Sequence, residues 1–137
     1  MEYQSKLELS PAVAGTMSYG KGGKELSAGE VSGLIRKTYE TGITSFDMAD
    51  IYGDYTTEAL FGEGWKNAGI AREKVQFVTK CGIKAPQDTR PGYTVKHYDT
   101  SYDYIVWSAE NSLKNIATDY LDLLLIHRPD PLMNPHE

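Results

Sequence analysis

Short apolar runs recur along the chain, separated by longer segments with a different hydrophobic pattern. Each run is rich in branched or aromatic side chains and is flanked by Gly, Pro or polar residues, a pattern typical of β-strands. The sequence predicts four strands, within "PAVAGTMSYG", "ITSF", "VQFVTKCG" and "YLDLLLIH". The last run is apolar enough to be buried on both faces, as strands of parallel sheets are.

The intervening segments place apolar residues three and four positions apart, which puts them on one face of a helix. Gly62 and Gly64 weaken this pattern in the second segment. Three helices are predicted: one from the N-cap Ser27 to Gly42, one from Thr56 or Thr57 to Gly69, and one over 103–118 after a cap at Thr100 or Ser101.

Strands and helices therefore alternate, and each helix is long enough to cross over between neighbouring parallel strands. A chain of 137 residues with 40% hydrophobic and 11% aromatic content can bury one core of ordinary size. These features predict a single α/β domain built on a parallel sheet.

Charge and hydropathy narrow the possible partners. The formal net charge is −5, from 19 acidic and 14 basic residues scattered without a basic stripe, so nucleic acid is not expected as a partner. No segment approaches the roughly 20 apolar residues of a membrane span, and the N-terminus lacks a secretion-signal pattern. We expect a soluble, unprocessed protein, and its single cysteine, Cys81, excludes an internal disulfide and fits a reducing cytoplasm.

Four polar residues stand at or just after the C-terminal ends of predicted strands. Asp47 follows the second strand, Lys80 ends the third and His127 ends the fourth, while Tyr52 lies in the loop that leaves the second. Ligands of parallel α/β domains bind at this end of the sheet, where neighbouring strands are about 4.8 Å apart. The four side chains are therefore expected to meet around one cavity.

Such a group can perform acid catalysis at a carbonyl. A tyrosine with a pKa near 10 is a weak proton donor at neutral pH, but a nearby ammonium stabilises the phenolate and lowers that pKa. Lys80 can supply this charge, Asp47 can keep Lys80 protonated, and His127 can orient the substrate oxygen toward Tyr52. Taken alone, each residue is better explained as a cap, a solvated strand end or a packed side chain. The joint placement of all four at one end of the sheet nevertheless favours the catalytic interpretation.

Other polar features carry weaker expectations. Asp50, Asp54 and Tyr55 are expected to shape or solvate their loop, and the polar stretch 82–101 to be functional or disordered. The turn "YGKGGK" is too irregular for a phosphate-binding fingerprint and is interpreted as a flexible loop. No metal is expected, because His97, His127 and His136 lack ligand spacing, and Cys81 is more often an inert buried thiol than a reactive one.

Three separated motifs, "FDMADIYG", "VTKCG" and "LDLLLIHRPDP", resemble the aldo-keto reductase family in order and in residue types, and "GTMSYG" resembles its opening strand and loop. The similarity runs from about residue 12 to residue 133. The long loop at 82–101 and "HRPDPLM" look closest to the bacterial oxidoreductase subgroup of that family.

The resemblance implies an NADPH-dependent carbonyl reductase on a (β/α)8 barrel. By position, the resemblance makes Tyr52 the proton donor, Lys80 the partner that lowers its pKa, Asp47 the residue paired with that lysine and His127 the substrate-orienting group. It places Gly15, Thr16 and Met17, with Asp47, beside the nicotinamide. Loops diverge in this family, and as a separate hypothesis Tyr19, His97 and Tyr98 line the substrate pocket.

One departure from the family is large, because residues 1–137 supply only four strands and three helices of an eight-stranded barrel. We therefore expect residues 1–137 to be the N-terminal half of the barrel, with most cofactor contacts in the other half. A half-barrel has two unpaired edges and an exposed apolar interior, so self-association is expected.

Two alternatives remain open at the level of sequence. One is a non-catalytic half-barrel that acts as an interaction or assembly module through its exposed strand edge. The other is a redox-sensing relative that keeps the site and uses cofactor binding as a signal. Only a turnover assay distinguishes this possibility from the reductase.

Overall fold

The computed structural model describes residues 7–134; His136 lies outside this range. The described residues form six strands, three long α-helices, one short 3-10 helix and a four-residue helical turn, Tyr52–Tyr55, whose last three residues have positive φ. In chain order these are β1 (Val13–Gly15), α1 (Ala28–Glu40), β2 (Ser45–Asp47), α2 (Tyr52–Tyr55), α3 (Thr57–Lys66), the 3-10 helix (Arg72–Lys74), β3 (Gln76–Cys81), β4 (Ile83–Lys84), β5 (His97–Tyr98), α4 (Tyr102–Ile116) and β6 (Leu123–Ile126).

Four of the strands form one parallel sheet in the order β1-β2-β3-β6. The register places Gly15 opposite Asp47, Asp47 opposite Val78, and Lys80 opposite Leu125. Strands adjacent in the sheet are thus successive predicted strands, and the long helices connect them. The predicted parallel α/β arrangement is confirmed.

Four short elements were not predicted, namely β4, β5, α2 and the 3-10 helix. The loop 82–101 contains a small antiparallel hairpin of β4 and β5, and the short α2 follows directly after the loop that leaves β2. Each has too few residues to show a hydrophobic period, so tertiary contacts rather than sequence pattern determine its conformation.

The ends of the long helices follow their capping residues. Ser27 and Glu30 form a capping box at the start of α1, and Ser101 caps α4 by accepting a hydrogen bond from the Tyr104 amide. The second predicted helix begins at Thr57 but has no side-chain cap, and it ends at Lys66, before Gly69.

The core lies between the sheet and the helices. Phe46 and Phe77 project from β2 and β3 and meet Phe61 and Trp65 of α3, with the Phe77 ring 5.4 Å from Phe61 and 5.0 Å from Trp65 between centroids. Close-packed aromatic rings in edge-to-face contact bury large apolar areas. This layer holds the sheet rigid beneath its C-terminal edge.

Within the described range, no helix covers the other face of the sheet. Val13 is 44% exposed and Leu125 is 39% exposed, and together with Leu9, Val78 and Leu123 they line a concavity of about 330 Å³. Within residues 7–134, β1 pairs only with β2 and β6 only with β3. In the same range, no helix is long and apolar enough to cross a membrane.

Candidate active site

Lys80 is the centre of the polar cluster at the C-terminal edge of the sheet. Its side chain lies on the same face of β3 as Val78, which is opposite Asp47 in the register, so the two charged groups meet between neighbouring strands. The ammonium lies 2.7 Å and 2.8 Å from the two Asp47 carboxylate oxygens and donates to the Met48 carbonyl at 2.7 Å. The Lys80 side chain is 15% exposed and the Asp47 side chain 31%, so this pairing is partly shielded from solvent.

Tyr52 completes the hydrogen-bond set of Lys80. The phenol oxygen lies 3.3 Å from the Lys80 ammonium, which is 5.1 Å from the centre of the tyrosine ring. The turn before Tyr52 is tied to the sheet, because the Asp50 amide donates to the Lys80 carbonyl at 3.0 Å and the Tyr52 amide donates to the Ala49 carbonyl at 3.2 Å. A phenol and an ammonium are thus held in contact at the end of β3.

His127 approaches the same point from β6. Its amide donates to the Cys81 carbonyl at 2.8 Å, and its ring stands edge-on to the Tyr52 ring with 5.9 Å between centroids. Burial, and then the nearby cations Lys80 and Arg128, lower the pKa of His127 below its ordinary value of 6.5, so the imidazole is neutral at pH 7. Its Nδ1 is buried and has no hydrogen-bond partner among the described residues.

The structure thus brings together all four residues that the sequence singled out. It places the residues expected beside the cofactor on the same edge of the sheet. Gly15 ends β1 opposite Asp47, Thr16 donates to the Asp47 carbonyl at 3.1 Å through its hydroxyl, and Met17 is 65% exposed. A Cβ at Gly15 would meet nothing within 4 Å, so the space beside Asp47 is open.

A cavity of about 440 Å³ opens next to Tyr52, and the lining side chains include Met17, Ser18, Lys21, Tyr52, Asp54 and Gln87. Sequence reasoning missed Lys21 and Gln87; the only signal was that they lie in the glycine-rich turn and in the long loop after β3. Of the expected pocket residues, Tyr19 is buried in the core, and His97 and Tyr98 lie on β5 outside this cavity.

On the opposite face of β3, Cys81 is fully buried. Burial, followed by the charge of Asp50, raises the pKa of its thiol to about 11, so the thiol stays protonated and unreactive at neutral pH. Within residues 7–134, no three His, Cys, Asp or Glu side chains are grouped so as to hold a metal ion.

A parallel sheet of four strands with connecting helices and polar residues at the C-terminal strand ends fits a partial (β/α) barrel. The family model described as Aldo/keto reductase family matches residues 12–137. The chain therefore belongs to the aldo/keto reductase family.

Similar proteins include 6-dehydroglucose reductase of Agrobacterium fabrum, 48% identical over 132 residues that make up 96% of this chain and 44% of that protein. Oxidoreductase YdhF of Escherichia coli is 49% identical over 112 residues, 82% of this chain and 37% of that protein. Among solved structures, the thermostable aldo-keto reductase Tm1743 in complex with the inhibitor epalrestat matches with a TM-score of 0.68 and 30% identity, covering 93% of this chain and 44% of that one. The chain thus spans less than half the length of these relatives.

Proposed function

We propose that the chain is the N-terminal half of an NADPH-dependent reductase that converts aldehyde or ketone carbonyls to alcohols. The observation that carries the proposal is the position of the Lys80 ammonium, which is hydrogen-bonded at once to Asp47 and to the Tyr52 phenol. A cation in this place favours the phenolate that Tyr52 becomes when it gives up its proton.

The reaction needs a hydride at the carbonyl carbon and a proton at the carbonyl oxygen. NADPH, when bound, supplies the hydride. In the proposed mechanism Tyr52 donates the proton, Lys80 stabilises the resulting phenolate, and Asp47 holds Lys80 in its charged form. Neutral His127 donates a ring N–H to the substrate oxygen and so directs it toward the phenol.

The residues at the end of β1 and just after it leave room for a nicotinamide ring. Gly15 leaves open space beside Asp47, and the exposed thioether of Met17 offers an apolar surface next to it. In the proposal these residues, with Thr16 and Asp47, lie beside the nicotinamide, and most other cofactor contacts belong to the barrel half that this chain does not include. The proposed setting is the cytoplasm, where a free cysteine such as Cys81 stays reduced.

The lining of the cavity beside Tyr52 suggests the kind of carbonyl compound. Ser18, Lys21 and Gln87 are among its lining residues and carry hydroxyl, ammonium and amide groups, which are groups that pair with substrate hydroxyls. One similar protein bears the name 6-dehydroglucose reductase. We therefore include hydroxylated carbonyl compounds in the proposed substrate class.

A chimera that joins residues 12–137 to the C-terminal part of the Agrobacterium fabrum relative tests the proposal. We expect the chimera to oxidise NADPH in the presence of a hydroxylated aldehyde. Tyr52→Phe should lower kcat by at least about 100-fold, because it removes the proton donor. Tyr120→Phe, which removes a hydroxyl far from Lys80, should leave kcat unchanged.

Full activity of the Tyr52→Phe chimera would contradict the role of Tyr52. Titration of NADPH into the isolated 137-residue chain provides a second measurement. Binding at micromolar affinity or tighter would contradict the assignment of most cofactor contacts to the other half of the barrel.

A second candidate function is an assembly module, and one observation favours it. The face of the sheet opposite the helices exposes Val13 and Leu125, which a partner could cover. In this proposal the chain pairs through its open sheet with a second copy or with a complementary half-barrel.

A further inference from the structure

The three residues after Tyr52 have an unusual backbone conformation. Gly53, Asp54 and Tyr55 all have positive φ, of 59°, 60° and 60°. This left-handed region is easily reached by glycine, sometimes by Asp and rarely by a bulky residue such as Tyr. Two successive non-glycine residues hold this conformation only if the surrounding structure imposes it.

Tyr55 is held by the loop after β3. Its hydroxyl donates to the Ile83 carbonyl at 3.0 Å and accepts from the Ala85 amide at 3.1 Å. The Arg90 guanidinium lies 4.9 Å from the centre of its ring, and the residue is only 8% exposed. Tyr55 thus fastens the turn after Tyr52 to the long loop.

Asp54 is held from two sides. Its carboxylate, 5% exposed, lies 2.7 Å from the Lys21 ammonium, which also lies 3.3 Å from Asp88. Its backbone carbonyl accepts from the Thr89 hydroxyl at 2.7 Å. Loops after β1 and β3 therefore both anchor the turn that begins at Tyr52.

Gly53 shows how tightly the turn is enclosed. A Cβ at this position would lie 2.2 Å from the Thr57 hydroxyl and 3.3 Å from the Lys21 amide nitrogen. The conformation after Tyr52 thus depends on packing against the glycine-rich loop as well as on hydrogen bonds.

We propose that Asp54 and Tyr55 are positioning residues for Tyr52, which hold the turn after it left-handed through Lys21 and the loop after β3 and so place its phenol beside Lys80. This inference rests on the proposed role of Tyr52 as proton donor. Release of either anchor lets the turn relax toward right-handed geometry and draws the phenol away from Lys80 and His127. The loop after β3 thereby controls the site without contacting the reacting atoms.

The test uses the isolated chain with ¹³C-labelled tyrosine and histidine, and needs neither cofactor nor turnover. The readout is the nuclear Overhauser effect between the Tyr52 and His127 rings, assigned with Tyr52→Phe. Tyr55→Phe removes only the hydroxyl that bonds the loop, so we expect this signal to lose most of its intensity. Tyr120→Phe is the matched control and should leave it unchanged.

A second variant covers the case in which Tyr55→Phe fails to fold. Lys21→Met removes the surface cation that pairs with Asp54, and Lys24→Met removes an exposed lysine three positions on in the same segment. The ring-to-ring signal should weaken in Lys21→Met and persist in Lys24→Met.

A ring-to-ring signal that is unchanged in Lys21→Met and in folded Tyr55→Phe would overturn the proposal. So would a control variant, Tyr120→Phe or Lys24→Met, that loses as much of this signal as the variant it is matched to. This result tests the positioning role alone and does not test the proposed function. If the chimera carrying Tyr52→Phe stays active, the proton-donor role of Tyr52 is wrong, even when the ring-to-ring signal responds as expected.

Discussion

At the scale of single residues, two buried carboxyl groups lie behind β3, on the face opposite Lys80. Asp50 accepts from the Ser108 hydroxyl at 3.0 Å and lies 3.4 Å from the Tyr104 hydroxyl, while Glu58 accepts from Thr79 at 2.6 Å and Ser112 at 3.0 Å. Neither has a cation among these partners. Burial raises the pKa of both groups, that of Asp50 to about 7.

This shift predicts how stability responds to pH at Asp50. Its pKa is about 7 in the folded chain and near its ordinary value of 3.8 when unfolded, so the folded chain binds more protons between these values. The contribution of Asp50 to the free energy of unfolding is therefore full below pH 4 and is lost as pH rises through 7. Asp50→Asn cannot ionise, so the variant should gain stability relative to the wild type by on the order of 2–4 kcal/mol between pH 4 and pH 8.

Urea unfolding followed by circular dichroism at several pH values measures this difference. An uncharged amide in place of the carboxyl changes the packing by an amount independent of pH, so the slope against pH is the informative quantity. Parallel curves for wild type and Asp50→Asn would show that Asp50 does not titrate in this range.

Three residues of the cluster could be predicted from sequence because they stand at or just after strand ends, which the hydrophobic pattern locates, and Tyr52 because it lies in the loop that leaves the second of these strands. Asp47, Tyr52, Lys80 and His127 are brought together as expected. The sequence predicts that Asp54 shapes or solvates its loop, but the partners that anchor it could not be predicted, because they lie in distant loops. Lys21 and the segment after β3 have no periodic pattern that would place them beside Asp54.

At the scale of elements, α3 packs through its glycines. A Cβ at Gly62 would lie 2.0 Å from the Asn115 carbonyl oxygen at the end of α4, and one at Gly64 would lie 2.6 Å from the Val31 side chain on α1. The close approach of α3 to α1 and α4 therefore requires Gly62 and Gly64, the residues that weaken the helical pattern of α3 in the sequence. The same glycines that make this helix hard to predict explain how it fits against its neighbours.

Two glycine substitutions separate helix propensity from packing. Gly62→Ala should destabilise the chain by about 1–3 kcal/mol, because a backbone atom must move to admit the methyl group. Gly33→Ala in α1 is the control, since nothing lies within 4 Å of its Cβ position, and it should stabilise the chain by about 0.5–1 kcal/mol. Chemical unfolding measures both; a gain in stability for Gly62→Ala would contradict the packing described.

At the scale of the whole molecule, residues 7–134 cover the sheet on one face only. Parallel sheets in α/β proteins are normally covered on both faces, and free strand edges pair with other chains. Here the apolar concavity crosses the open face from β1 to β6 and includes Asp47 in its lining, and within residues 7–134 the outer sides of β1 and β6 have no strand partner. A second half-barrel placed there would extend the sheet and enclose the polar cluster.

We therefore predict that the isolated chain self-associates through this face. Sedimentation velocity should show a sedimentation coefficient that rises with protein concentration, because apolar surface is buried between copies. Leu125→Lys places a charge in the concavity and should shift the chain toward monomer. Leu34→Lys is the matched control, because Leu34 is 36% exposed on α1, comparable to 39% for Leu125, but lies on the helical side. A wild-type chain that stays monomeric at high concentration, or equal responses of the two variants, would contradict association through the open sheet.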